Sequence, residues 1–268
     1  SEVLMSGLEG VTPMMKQYLD TKNDYKDCIL LYRLGDFYEM FFDDAKIVSK
    51  ELELTLTGKS CGMEERAPMC GVPFHAVDNY LPRLVSKGYK VAICEQMEDP
   101  KEAKGLVKRE VVRVVTPGTN IDGASLDETK NNFIMSVVYH GDRFGLSFAD
   151  VSTADFYMTE VDSTQKLLDE MNKYHPSEMI CNEAFYISGI SIDALKDKYH
   201  FLVTAMDATY FDDGYVKDVL LRHFKCMSLE ALGVADFPIG CLSAGALISY
   251  LMDTQKSDLS HMNRIVPY

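Results

Sequence analysis

Phe37 and Glu39 stand one residue apart in the stretch Leu34-Gly35-Asp36-Phe37-Tyr38-Glu39-Met40-Phe41-Phe42. In an extended strand, positions i and i+2 project from one face, so ring and carboxylate stand side by side while Tyr38 points the other way. A ring offers a flat surface for stacking, and a carboxyl group accepts a hydrogen bond when ionised or donates one when protonated. Alternation alone has a plainer reading, with Phe37 in a core and Glu39 solvated at a strand end. Other groups carry less. Asp150 and Asp155 end one strand and begin the next, and could hold Mg²⁺ between them as two-metal nucleases do, although strand-end aspartates commonly serve turns. Gly58-Lys59-Ser60 resembles the end of a phosphate-binding loop, but that motif needs glycine at position 53, where the chain has Glu53. No GxGxxG is present, so dinucleotide binding has no support. The cysteines, at 28, 61, 70, 94, 181, 226 and 241, are odd in number and form no CxxC. That usage suits buried thiols in a reducing cytoplasm rather than a disulfide frame or a zinc site.

The elements that must position these groups are legible in outline. Thr12-Pro13 starts a helix running to about Tyr25, with threonine as N-cap and proline at the first helical position. Cys28 to Leu34 is a buried strand, Gly35-Asp36 a tight turn, and a second strand runs through Phe42. A helix comes next over 43–52, with Asp43 and Asp44 in its acid-favouring first turn. Another runs from His75 to Lys87 and is ended by Gly88, with Pro82 bending it or marking its true start. Strands cover 89–94 and 107–115. Pro117 to Asn132, rich in Gly, Asp, Asn and Thr, carries the domain boundary. Beyond it, strands at 133–139, 145–150 and 155–160 precede a helix at 163–174, strands near 179–181 and 200–205, and helices near 215–224 and 242–255. Three antiparallel strands and then alternating helices and strands make a ribonuclease-H-like order.

A chain of 268 residues accommodates two ordinary domains, expected at 1–127, with a linker from about 117, and at 128–268. The 47% hydrophobic and 25% charged content is that of a soluble globular protein, with no apolar run of membrane-spanning length and no secretory signal in the opening residues. The net charge of -14 taken alone opposes nucleic-acid binding. Its distribution is uneven: residues 1–127 hold 16 Lys+Arg against 21 Asp+Glu, a net of -5, whereas 128–268 hold 11 against 20, a net of -9. In Lys101 to Arg113, five cations outnumber Glu102 and Glu110.

Four blocks in order and spacing carry a specific resemblance: Tyr32 to Glu39, Pro68-Met69-Cys70-Gly71-Val72-Pro73-Phe74-His75-Ala76, Val91-Ala92-Ile93-Cys94-Glu95-Gln96, and Val111-Val112-Arg113-Val114-Val115-Thr116-Pro117-Gly118-Thr119. They resemble the amino-terminal mismatch-binding domain of the MutS family of bacterial DNA mismatch-repair proteins, and the remainder of the chain resembles that family's connector domain. The resemblance implies a mixed-sheet α/β domain with flanking helices, then a ribonuclease-H-like α/β connector. It implies recognition rather than catalysis: Phe37 enters the base stack at a mispair or small loop from the minor groove, and Glu39 meets the mispaired base. With lower weight, Leu34 matches the apolar position beside the neighbouring base. Lys59 matches the basic residue of the following loop, and Arg109 the basic residue before a strand that reaches DNA. Met69 and His75 lie in a matched loop, and Arg33 and Asp36 could form an internal ion pair. The family's ATPase domain, with its ATP and Mg²⁺, belongs further along, so no cofactor is expected here. Expected partners are mismatched duplex, a second subunit and, through the connector, MutL. The alternatives are a Mg²⁺-dependent nuclease in the second domain and a pure interaction module.

Overall fold

The computed structural model describes residues 10–119, 131–257 and 259–268. They divide into two compact units, the first ending at Thr116 and the second beginning at Pro117. The boundary expected at 127/128 lies outside the described residues.

In the first unit Thr12 caps helix α1 (Pro13–Asp24), its side chain accepting from the Met15 amide, with proline at the first turn as expected. Strands β1 (Cys28–Leu34) and β2 (Phe37–Phe41) form the expected hairpin, closed by the Leu34 and Phe37 pair. The second strand ends one residue early because Phe42 adopts a positive φ of 53°, turning the chain straight into α2 (Phe42–Glu51). Sequence reading missed β3 (Thr57–Lys59) and did not name β4 (Ala67–Pro73) as a strand, since Gly and Pro dilute its β signal. Helix α3 (Val77–Ser86) comes after a single 3₁₀ turn and runs through Pro82, held by buried Leu81, Leu84 and Val85. Strands β5 (Lys90–Gln96) and β6 (Arg109–Val115) complete a mixed six-stranded sheet in the order β3-β4-β2-β1-β5-β6. One face carries Tyr38, Met40, Cys70 and Val72 against α2 and α3. The other carries Leu30, Tyr32, Phe41, Ala67 and Cys94 against Met15 and Tyr18 of α1.

The second unit opens with β7 (Ile134–His140), β8 (Arg143–Asp150) and β9 (Asp155–Val161), all antiparallel. Helix α4 (Thr164–Tyr174) is capped by Ser163 and closed by His175 in the left-handed region. Strands β10 (Glu178–Cys181) and β11 (Leu202–Ala205) run parallel to β7 and to each other, with α5 (Ile192–Tyr199), not foreseen, between them. Then come α6 (Asp213–Phe224), the short α7 (Leu229–Leu232), α8 (Pro238–Gln255) and β12 (Val266–Pro267). The sheet order is β11-β10-β7-β8-β9-β12, the mixed arrangement expected. Helix α8 starts four residues before its expected start because Glu160 of β9 reaches over to accept from the Ile239 and Gly240 amides. Its N-terminus lies so close to β8 that a Cβ on Gly145 would sit 2.2 Å from the Ile239 carbonyl oxygen. No described helix is long and apolar enough to cross a membrane.

Six of the seven thiols are buried and Cys226 is half-buried. Burial pushes Cys28, Cys181 and Cys241 up to about 12, and Cys70 and Cys94 up to about 11.

Candidate nucleic-acid interface

The β1–β2 turn presents Phe37. Gly35 takes the positive φ, 58°, that a two-residue hairpin turn asks of its first central residue. Three contacts from outside the turn fix its tip. The Gly35 amide donates to Gln96 Oε1 at 3.0 Å, the Phe74 amide donates to the Asp36 carbonyl at 2.8 Å, and Arg33 Nε donates to the Gly35 carbonyl. The ring beyond is 48% exposed, which sets aside the core reading of Phe37.

Glu39 lies two residues on, opposite Tyr32 on β1 and Gly71 on β4. A Cβ built on Gly71 would lie 3.3 Å from the Tyr38 carbonyl oxygen, 3.5 Å from Glu39 Cγ and 3.8 Å from Phe37 Cδ1. Ring and carboxylate therefore share one face, side by side over the bare backbone of Gly71. The Glu39 carboxylate is ion-paired with Lys59 Nζ at 3.1 Å, the two side chains being 16% and 34% exposed. Lys59 stands at the end of β3 rather than in a loop.

Register places Leu34, Lys59, Met69 and Arg109 on this same face. Lys59 pairs with Ala67, and Thr57 with Met69, beside Phe41 and Gly71 on the α1 side of the sheet. Leu34 packs half-buried on that side. Arg109 pairs with Gln96, two residues beyond the buried Cys94. Five of the six strands contribute, and at ~4.8 Å per strand the face is ~24 Å wide.

The arginines around it are committed to the protein. Arg109 lies over the Tyr32 ring and donates to the Arg33 carbonyl and to Gln17 Oε1, each at 2.8 Å. Arg33 does form an internal ion pair, but with Glu95 at 3.2 Å rather than with Asp36, and its guanidinium stacks 3.9 Å over Phe74. Tyr38 donates to the other Glu95 oxygen. Burial pushes the Glu95 carboxyl up, while Arg33 draws it back down. His75 is exposed, with its ring edge against Phe74. Sequence reasoning missed Gly71, Glu95 and Gln96 as supports, although all three fall inside the quoted blocks. Their signal is spatial, since each acts across strands.

Asp150 is committed to a turn. One Asp150 oxygen accepts from the Ser152 amide and hydroxyl and from the Thr153 amide, and the other from the Asn132 amide. The side chain is 1% exposed and serves a turn. Asp155 accepts from the Thr153 hydroxyl, and among the described residues no group of three or more His, Cys, Asp or Glu is arranged to hold a metal.

Residues 12–124 match the family described as MutS domain I, and residues 132–263 the family described as MutS domain II. Among curated proteins, the chain is 54% identical over 258 residues to the DNA mismatch repair protein MutS of Lachnoclostridium phytofermentans, covering 96% of this chain and 28% of that protein. It is 53% identical over 261 residues to that of Ruminiclostridium cellulolyticum, and 48% identical over 261 residues to that of Caldanaerobacter subterraneus subsp. tengcongensis. Each of these two alignments covers 96% of this chain and 30% of the relative. The chain thus spans under a third of the length of these relatives.

Proposed function

The chain belongs to the MutS family, matching its domains I and II, and from that premise we propose that its first unit recognises mispaired DNA by inserting Phe37 into the base stack from the minor groove. The observation that carries this reading is an exposed ring on a tied-down turn, with a carboxylate beside it and no side chain beneath either. Unstacking a base step costs a few kcal/mol, and stacking on an aromatic side chain returns roughly 1–3 kcal/mol per base. In matched duplex these nearly cancel. A mispaired base is already poorly held, so wedge and kink cost less there, and selectivity comes from deformability rather than from reading one base. Glu39 then hydrogen-bonds the exposed base edge, which any mispair can offer in some form. Leu34 and Met69 give the ring's neighbours an apolar floor. Lys59 supplies charge, and Arg109 braces the strand ends.

The second unit is the connector, carrying state between the DNA end and the ATPase that uses ATP and Mg²⁺ in the whole protein, and docking MutL. The whole protein clamps DNA as a dimer in which one subunit inserts its ring, in the bacterial cytoplasm at the nucleoid. None of the chemistry assigned to these residues is catalytic.

Titration of the chain with matched and single-mismatch duplexes by fluorescence anisotropy tests the reading. The expected result is a preference for the mismatch that Phe37→Ala abolishes, while Arg109→Ala weakens both duplexes about equally. Preference retained in Phe37→Ala refutes the wedge.

A further inference from the structure

The Glu39–Lys59 ion pair is the one feature of this face that the recognition reading leaves unexplained. A carboxylate intended for a base edge is held 3.1 Å from an ammonium. Both partners are partly withdrawn from water, and they belong to strands separated by β4. Lys59 stands at the end of its strand, and its side chain is one-third exposed, so its ammonium can swing outward with little rearrangement.

Resting on the proposed mismatch recognition, we propose that Lys59 is a specificity-determining residue that exchanges partners: at a mispair Glu39 passes from Lys59 to the base edge, and the released ammonium takes a backbone phosphate. On matched duplex no base edge is offered to Glu39, the pair stays closed, and Lys59 contributes nothing to phosphate binding. One ion pair is broken and one is formed: the Lys59 end keeps a counter-charge, and the Glu39 end keeps a hydrogen bond from a neutral donor. Glu39 gives up an ammonium for a base N–H, and Lys59 gives up a carboxylate for a phosphate. The mismatch complex therefore contains one phosphate contact that the matched complex lacks.

Salt dependence counts that contact. Each neutralised phosphate steepens the fall of log affinity with log salt by about 0.9, so the wild-type chain's mismatch preference should drop about 2.7-fold between 50 and 150 mM salt. In Lys59→Met both duplexes should show the shallow slope and the preference should no longer depend on salt. In Glu39→Gln the slopes should also coincide, but at the steep value, because Lys59 is free on either duplex. Lys59→Arg should keep the wild-type difference, and thermal melting of each variant checks that it folds. If Lys59→Met lowers both slopes equally and leaves their difference intact, Lys59 touches phosphate always and the exchange is overturned. Equal slopes in a wild type that still prefers the mismatch overturn it too. A wild type without preference overturns the recognition reading beneath it.

Discussion

Gly71 lacks a side chain where two others need the room. The Phe37 ring edge and the Glu39 methylene both lie within van der Waals contact of where its Cβ would be, and the Tyr38 carbonyl closes the remaining side at 3.3 Å. Alanine fits only with a small shift, and the branched methyl groups of valine would take the space of the ring edge. Gly71→Val is expected to cut mismatch preference at least about tenfold, the loss that ~1.4 kcal/mol of misplacement produces, while the chain still melts cooperatively. Unchanged preference in anisotropy titrations would mean that the ring's position is set elsewhere. At this scale the sequence is only half legible. That Phe37 and Glu39 share a face comes from strand period. That the ring is exposed does not, because alternation alone favours burial, and the decision is made by a turn tied down by Gln96 and Phe74 from outside the hairpin. Arg33 shows the same limit: an acid three residues away was the legible partner, and Glu95 across the sheet is the real one.

Between β1 and α2, an acid read as a helix-dipole residue has a second task. The chain turns into α2 at Phe42, so β2 gives the Leu30 amide no strand partner. Asp44, buried in the first turn, accepts from that amide at 2.9 Å and from Lys22 Nζ. Asp44→Ala leaves a buried donor unpaired and should cost ~1–3 kcal/mol in urea unfolding. Burial pushes the Asp44 carboxyl above its ordinary value of 3.8, against the pull of the Leu30 amide and Lys22. The native state therefore binds protons that the unfolded state has released, so this group's contribution to stability declines as pH rises from about that value through the raised one. Asn at 44 does not titrate. The stability of wild type relative to Asp44→Asn should decline with rising pH across that window, and a flat or rising difference contradicts the assignment. Elements with a local signature were readable: Thr12 caps α1, with proline in its first turn. The start of α8 reads four residues late: Pro238 in its first turn is a local signal, but the bonds from the Ile239 and Gly240 amides to Glu160 come from a distant strand.

Over the whole molecule, charge and architecture have to be reconciled with a polyanionic partner. A chain of net charge -14 should avoid DNA, and Lys59 and Arg109 on the sheet face already have protein partners. On the proposed reading, phosphate attraction then supplies little of the affinity, and discrimination rests with the wedge, where the duplex yields. Affinity of the whole chain for matched duplex should accordingly be weak and its salt slope small, shallower by about 0.9 than the slope on mismatched duplex. All of that affinity should reside in the first unit. The two units have separate sheets and cores, and residues 128–268 carry a net of -9. The second unit alone, residues 117–268, is expected to bind neither matched nor mismatched duplex at any salt concentration at which the whole chain binds. Binding by that piece with equal strength to both duplexes would move the DNA surface to the connector and leave Phe37 an exposed ring with no partner.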